Sequence, residues 1–253
     1  MKIALITDIH LGDYRREKKN DICKLELLKR EFDFTCPDII LNTADTVSHD
    51  KYLRPEETRE DYWKQYLDFK SSLKCPIIEV CIDREKDFFT KIFNVSSNYY
   101  RTDFNDCTFF CLAPEFDNDH TLSEKQFNWL KNEFKNVKTR WQFVLAHVPI
   151  EQATERPPGR EIYLSDSQIL KDIARQYSTY TFFIGGQFHK MTPSKTERGL
   201  TMIMSGMIDS LTVANNDIKV RYLELNEQYA NLKTVTINML SAKTVENSNN
   251  AIF

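Results

Sequence analysis

The chain has 253 residues, of which 41% are apolar and 28% charged, a balance typical of a globular protein with ample material for a core. Its net charge of -3 argues against a protein that coats nucleic acid. The first residues, MKIALITDIHLG, hold too short an apolar run for a signal peptide, and no run approaches the ~18 residues of a membrane span. We therefore expect a cytoplasmic protein without a membrane partner.

Short apolar runs alternate with amphipathic stretches along the chain, which is typical of a layered α/β fold. Strands are predicted at KIALIT, DIILNT, PIIEVC, CTFFCL, WQFVLA, TFFIGG and LTMIMS, with two more towards the C-terminus. Helical patterns cover residues 21–34, 59–73, 121–135 and the segment SQILKDIARQ; Thr121 or Ser123 would cap the third. We predict one domain over residues 1–240, followed by a polar tail at 241–253.

The six cysteines mostly lie in or beside apolar runs, and no two have CxxC spacing. They are Cys23, Cys36, Cys75, Cys81, Cys107 and Cys111. We interpret them as small buried hydrophobic side chains in a reducing compartment, with disulfides or a zinc site as the alternatives.

Residue types that bind metals follow five of the predicted strands. Asp8 and His10 follow the first, Asp45 the second, Asp83 the third, His147 the strand WQFVLA, and Gln187 with His189 the strand TFFIGG. The carboxyl ends of strands in α/β sheets form the crevice where ligands bind, so these distant residues are expected to converge. Asp8 and His10 would alternate along one strand and face the same side, as two ligands of one ion require. Capping by Asp8 and core packing of His10 are the alternatives.

The order of DIHLG, ADTVS, IDRE, AHVP and GGQFH resembles the five motif blocks of the calcineurin-like metallophosphoesterase family, which read DxH, GDxx(D), GNH(D/E), H and GHxH. The resemblance spans roughly residues 1 to 225 and includes QFNWL, which is similar to that family's QxxWL helix. It implies a four-layer α/β/β/α sandwich with a dinuclear metal centre that cleaves phosphate esters.

The resemblance assigns Asp8, His10 and His189 to one metal ion. Asp45 would bridge to a second ion that His147 also holds, although Ala44 replaces the glycine that precedes the family's bridging aspartate.

Two ligand positions of the second ion differ from the family pattern. Asp83 stands in place of asparagine and Gln187 in place of the first histidine of GHxH, and both still offer oxygen. Because oxygen-rich ligation favours Mn²⁺, Fe²⁺ or Mg²⁺ over Zn²⁺, we expect one or two ions of that kind.

Three arginines are candidates for binding phosphate. Arg84, which with Asp83 forms the predicted catalytic block, replaces a histidine that the family uses near the leaving group. Arginine cannot donate a proton at working pH but can clamp phosphate through two N–H groups; pairing with Glu85 or Asp87 is the alternative. Arg156 and Arg160 flank a Pro-Pro-Gly turn that would form a lid or a plain surface excursion.

Three functions are compatible with these motifs. The favoured one is metal-assisted hydrolysis of a phosphomonoester or phosphodiester in a small molecule or nucleotide. A second is a degenerate family member that binds metal, nucleotide or a protein partner without turnover. A nucleic-acid phosphodiesterase with partner subunits is disfavoured by the negative charge and the lack of a basic, aromatic-rich stripe.

Overall fold

The computed structural model describes residues 1–15, 18–82, 85–115, 120–151, 163–178, 180–187, 194–197, 200–204, 206–207, 217–239 and 243–252. The chain divides into two compact units, the first formed by Met1–Ile78 with Ser205–Phe253 and the second by Glu79–Met204. That residues 1–240 form a single domain stays a prediction. No described helix is long and apolar enough to cross a membrane.

The described residues form thirteen strands and five α-helices, and all described elements after residue 177 are strands. The strands are β1 (Lys2–Thr7), β2 (Ile39–Asn42), β3 (Ile77–Glu79), β4 (Tyr100–Phe104), β5 (Cys107–Cys111), β6 (Trp141–Leu145), β7 (Thr181–Gly185), β8 (Lys195–Glu197), β9 (Leu200–Met204), β10 (Gly206–Met207), β11 (Asp217–Leu225), β12 (Ala230–Asn238) and β13 (Thr244–Ile252). The helices are α1 (Lys18–Thr35), α2 (Arg59–Ser71), α3 (Lys86–Phe93), α4 (Glu124–Lys135) and α5 (Ser167–Tyr177), and a short 3₁₀ turn covers Asp50–Tyr52.

The first unit is built on a sheet with the strand order β13-β12-β11-β1-β2-β3, and β10 pairs with β1. β1 and β2 are parallel, whereas β11, β12 and β13 form an antiparallel meander against β1. All of β2 and all but the first residue of β1 are buried, so side chains on both faces of these strands are shielded from water, as is usual for parallel strands. Their carboxyl ends lie at the same edge of the sheet, which brings the two following loops together.

The second unit is built on a sheet with the order β4-β5-β6-β7-β9-β8. Its four central strands are parallel, and β4 and β8 are antiparallel edges. Phe110 of β5 stacks on Phe134 of α4 with ring centroids 4.4 Å apart, and Phe143 of β6 stacks between Phe109 and Phe182 at 4.9 and 5.1 Å. These aromatic contacts fix the central strands against one another and against α4.

The predicted strands and helices are present in the structure with small shifts at their ends. Helix α4 begins at Glu124 because the Ser123 hydroxyl accepts a hydrogen bond from the Gln126 N–H, which selects Ser123 rather than Thr121 as the cap. Helix α1 begins three residues before the predicted start at residue 21. Cys81, Cys107 and Cys111 are buried as expected, but Cys36 is exposed, so the buried interpretation is wrong for that residue.

Five described elements have no counterpart in the sequence prediction: α3, β4, β8, β10 and β13. Strand β13 lies within the segment predicted to be a polar tail and pairs with β12. Both β4 and β13 are edge strands, and edge strands tolerate the polar composition of YRTDF and TVENSNNAI because one side faces no neighbouring strand. Their lack of an apolar run explains why hydrophobic patterning did not reveal them.

Candidate functional site

The loops that follow β1 and β2 are joined by backbone hydrogen bonds beyond the ends of the strands. The Asp8 N–H donates to the Ala44 carbonyl at 3.0 Å, the His10 N–H to the Asp45 carbonyl at 3.0 Å, and the Leu11 N–H to the Thr46 carbonyl at 2.9 Å. This ladder holds the first and second predicted motif blocks side by side.

Asp8, His10 and Asp45 meet where these loops adjoin. The His10 Nε2 atom lies 3.6 Å from Asp8 Oδ1 and 3.8 Å from Asp45 Oδ2, and carboxylate oxygens of the two aspartates lie within 4.8 Å of each other. Asp8 is fully buried and Asp45 is 6% exposed. The separations of His10 Nε2 from the two carboxylates are long for hydrogen bonds. They fit ligands of one ion, because two ligand atoms that are each about 2 Å from an ion lie at most about 4 Å apart.

The donor set fits a divalent cation. Two buried carboxylates repel each other and are poorly solvated, and a cation between them removes both penalties. Two oxygen donors and one imidazole nitrogen suit a divalent ion such as Mn²⁺ or Fe²⁺.

The backbone of this site is held in an unfavourable region. Asp8, His10, Ala44 and Asp45 have φ angles of 55°, 51°, 75° and 51°, which is the left-handed region that side chains with a Cβ rarely adopt. The prediction that Asp8 and His10 alternate along a strand is therefore wrong, because β1 ends at Thr7 and both residues lie in the loop beyond it. The loop nevertheless brings both side chains towards Asp45. Such strain persists only where surrounding contacts enforce it, and it concentrates at functional sites.

A buried network of charges lies beneath the first loop. The Asp21 carboxylate of α1 accepts hydrogen bonds from the Gly12 N–H at 3.0 Å and from the Arg54 guanidinium at 2.6 Å. The Lys24 ammonium donates to the Ile9 carbonyl at 2.9 Å and lies 3.5 Å from Asp21. The network extends to the Tyr62 hydroxyl, whose pKa burial raises to about 12.

Gly12 itself requires the absence of a side chain. Its φ is +86°, and a Cβ there would lie 2.5 Å from the Tyr62 Cε2 atom. The loop therefore passes directly over the Tyr62 ring, and only glycine fits both the conformation and the space.

The loop continues into an ion pair beside the site. Asp13 is fully buried, and both of its oxygens accept hydrogen bonds from the Arg15 side chain at 2.5–3.1 Å. Burial raises the pKa of the Asp13 carboxyl, but the Arg15 contacts outweigh it and leave that pKa below its ordinary value. The Arg15 guanidinium also lies 4.0 Å above the Tyr52 ring. Asp13 therefore remains ionised and anchors the end of the loop.

The second unit places two further predicted residues at neighbouring strand ends. His147 follows β6 and is buried, and Gln187 follows β7 with a φ of 71°. The Gly186 N–H donates to the His147 carbonyl at 2.8 Å. A Cβ at Gly185 would lie 2.8 Å from the Pro149 Cα atom, so glycine at this position permits the two chain segments to approach.

The predicted site residues thus fall into three groups. Asp8, His10 and Asp45 come together in the first unit, and His147 and Gln187 lie on adjacent strand ends of the second. Asp83, Arg84, Arg156, Arg160 and His189 lie outside the described residues. Metal binding by any residue of the three groups stays a prediction. Sequence analysis missed the network of Asp21, Lys24 and Arg54, because a charged residue within an amphipathic helix is usually assigned to its solvated face.

This chain shares its fold with a number of solved structures. A dimetal phosphatase from Danio rerio is 12% identical, with a TM-score of 0.64 over 98% of this chain and 99% of that chain. The chain has the calcineurin-like metallophosphoesterase fold. A 5'-nucleotidase from Candida albicans is 10% identical, with a TM-score of 0.56 over 95% of this chain and 52% of that chain. The expected α/β, metallophosphoesterase-like fold class is confirmed, and at these identities the likeness concerns the fold alone.

A scan of protein-family models and a search of curated proteins found no match to this sequence.

Proposed function

We propose that this chain is a metal-dependent phosphoesterase of the cytoplasm that hydrolyses a phosphomonoester or phosphodiester in a small molecule or nucleotide. The observation that carries the proposal is that carboxylate oxygens of Asp8 and Asp45 both lie within 3.8 Å of the His10 imidazole. The fold that holds these residues is shared with a dimetal phosphatase. A divalent ion held there would supply Lewis-acid polarisation of the phosphoryl oxygens.

The proposed ligand set follows the motif order. Asp8 and His10 bind one ion together with His189, and Asp45 serves both ion positions. Asp83, His147 and Gln187 are the proposed ligands of a second ion. The oxygen-rich character of this set supports Mn²⁺, Fe²⁺ or Mg²⁺ over Zn²⁺.

Arginines are the proposed contacts to the substrate. Arg84 would clamp the phosphate through two N–H groups, while the Asp83 carboxylate beside it would hold cations firmly and oppose the phosphate charge. Arg156 and Arg160 are proposed to add positive charge over the bound ester. Because Arg84 cannot protonate a leaving group, the proposal requires esters whose leaving oxygen departs as an anion.

Replacing Asp8 with asparagine tests the metal site. Asp8→Asn removes one of the two buried carboxylates and should abolish binding of Mn²⁺ and lower hydrolysis of bis-p-nitrophenyl phosphate by ~10²-fold or more. Asp68→Asn, a change on the exposed face of α2, is the matched control and should alter neither. Metal content by elemental analysis and initial rates are the measurements. Undiminished metal binding in Asp8→Asn would refute the proposed site.

A non-catalytic metal-binding protein is the second candidate, favoured by Arg84 and Gln187 at positions where the family has histidine. Aryl phosphate esters and alkyl phosphate esters distinguish the two functions. A hydrolase that lacks a proton donor should cleave aryl esters far faster, and Arg84→His with Asp83→Asn should raise alkyl ester rates by ~10²–10⁴-fold. Bound metal with no turnover of either ester would establish the second candidate.

A further inference from the structure

We infer that Lys24 and Asp21 are positioning residues that fix the loop carrying Asp8 and His10 in its metal-binding conformation; this inference rests on the proposed function. Both residues lie on α1, and neither belongs to a motif block of the family. Their side chains form hydrogen bonds with backbone groups of the loop on either side of His10.

The hydrogen bonds of Lys24 and Asp21 lie on either side of the candidate ligand His10 in the sequence. The Lys24 ammonium donates to the carbonyl of Ile9, the residue before His10, at 2.9 Å. The Asp21 carboxylate accepts from the N–H of Gly12, two residues after His10, at 3.0 Å. His10 is thus held on both sides by side chains of one helix.

The strain of the loop explains why such anchors are needed. Asp8 and His10 have φ angles of 55° and 51°, and an unsupported loop would relax to ordinary backbone conformations that turn the two side chains away from Asp45. A charged hydrogen bond to a buried carbonyl is stronger than a neutral one and therefore resists that relaxation.

A contribution to folding stability does not by itself explain why charged residues occupy the buried positions of Lys24 and Asp21. Lys24 is 2% exposed and Asp21 is 1% exposed, and burying two charges is expensive enough that well-packed apolar residues in their place often stabilise a protein as well or better. What apolar residues do not provide is a directed contact to a particular carbonyl and a particular N–H. The Lys24 contact therefore has its main effect on loop geometry.

The dissociation constant for Mn²⁺, measured by calorimetry on the full chain, tests the inference. Lys24→Met keeps the length of the side chain and leaves Asp21 bound to Arg54 at 2.6 Å, so the helix retains a paired carboxylate. We expect Mn²⁺ binding to weaken by ~10–100-fold, which is usual when a group that orients a ligand is lost.

Two control variants separate position from general damage. Lys29→Met removes another lysine of α1, whose ammonium pairs with Asp33 at 2.6 Å on the more exposed side of the helix, and should bind Mn²⁺ like the wild type. Ile218→Val, a buried change in β11, lowers stability without touching the network and should also leave the dissociation constant unchanged. Circular dichroism establishes that each variant is folded.

The outcomes are distinct for the two proposals. Failure of the wild-type protein to bind Mn²⁺ overturns the proposed function and this inference with it. Wild-type binding with equal affinity in Lys24→Met overturns the inference alone. Tighter binding in Lys24→Met, which loss of a nearby positive charge without loop movement would produce, also overturns it. Should Lys24→Met not fold, Lys24→Gln keeps a polar group in the buried position, and the same comparison decides.

Discussion

At the scale of single residues, Ala44 shows how the site departs from an unstrained backbone. Its φ of 75° lies in a region where a Cβ costs about 1–2 kcal/mol, and the related motif has glycine at this position. The Ala44 carbonyl accepts the hydrogen bond from the Asp8 N–H, which fixes the residue in place. The strain is therefore stored next to both candidate aspartate ligands.

Ala44→Gly should stabilise the protein. Glycine adopts positive φ without strain, and its greater freedom in the unfolded chain offsets part of the gain, so we expect the free energy of unfolding to rise by about 0.5–1 kcal/mol. Urea denaturation measures the change. Ala4→Gly is the control, because Ala4 is buried in β1 and the same substitution there should lower stability by about 1 kcal/mol. A loss of stability in Ala44→Gly would mean that the Ala44 methyl group makes a packing contact worth more than the strain.

At the scale of elements, helix α1 carries charged residues on its buried face. Asp21, Lys24 and Glu31 are buried at spacings of three and seven residues, together with Leu28. The sequence predicted the helix from its apolar periodicity, and it could not predict that these charges share the buried face. Their partners are backbone groups of a loop, the Arg54 guanidinium and Tyr222 of β11, which only the tertiary fold supplies.

Glu31 makes the stability of α1 depend on pH. Burial raises the pKa of the Glu31 carboxyl above its ordinary value of 4.5, and the hydrogen bond from the Tyr222 hydroxyl at 2.9 Å only partly opposes this. The folded state therefore holds the proton more tightly than the unfolded state. The contribution of Glu31 to stability is greatest below the unfolded pKa and is lost as pH rises through the folded pKa.

Glu31→Gln should therefore stabilise the protein at pH 7 and change little at pH 4. Glutamine keeps an oxygen that accepts from Tyr222 but carries no charge to bury. Urea denaturation at both pH values gives the comparison, with Glu26→Gln on the exposed face of α1 as the control. Lower stability of Glu31→Gln at pH 7 would show that the charged form of the hydrogen bond outweighs the burial of the carboxylate.

Helix α4 shows a motif whose physical reason emerged only from the structure. The sequence matched QFNWL to a family pattern, and the structure shows the buried Gln126 amide pairing with both backbone groups of Ala113, donating to the carbonyl at 3.0 Å and accepting from the N–H at 2.8 Å. These bonds join α4 to the residues that follow β5. A glutamine in a helix gives no sign of such a partner when the sequence is considered alone.

At the scale of the whole molecule, motif order predicted the fold and the proximity of Asp8 to Asp45. Asp8 and Asp45 could be placed together because parallel neighbouring strands end at one edge of a sheet. The left-handed loop geometry could not be predicted, since aspartate, histidine and alanine all favour other conformations. The edge strands β4 and β13 were equally hidden, because their polar sequences lack the period that burial imposes.

Asp8 and Asp45, the carboxylates proposed to bind a metal, should lower the stability of the protein when no metal is bound. Carboxylate oxygens of Asp8 and Asp45 lie within 4.8 Å in a buried environment, and two like charges at that distance repel by about 3 kcal/mol at an effective dielectric of 20. After treatment with EDTA, Asp8→Asn should therefore unfold at a higher temperature than the wild-type protein, with a gain on the order of 1–3 kcal/mol.

Added Mn²⁺ should reverse this order. At 100 times its dissociation constant, an ion that binds only the folded state stabilises it by about 2.7 kcal/mol, which corresponds to roughly 5–10 °C in a chain of this size. The wild-type protein should gain this increment and Asp8→Asn should not. Differential scanning calorimetry of both proteins with EDTA and with Mn²⁺ measures the four transitions. An equal gain in both would place the ion elsewhere, whereas a crossing of the two stabilities would tie the repulsion between Asp8 and Asp45 directly to metal binding.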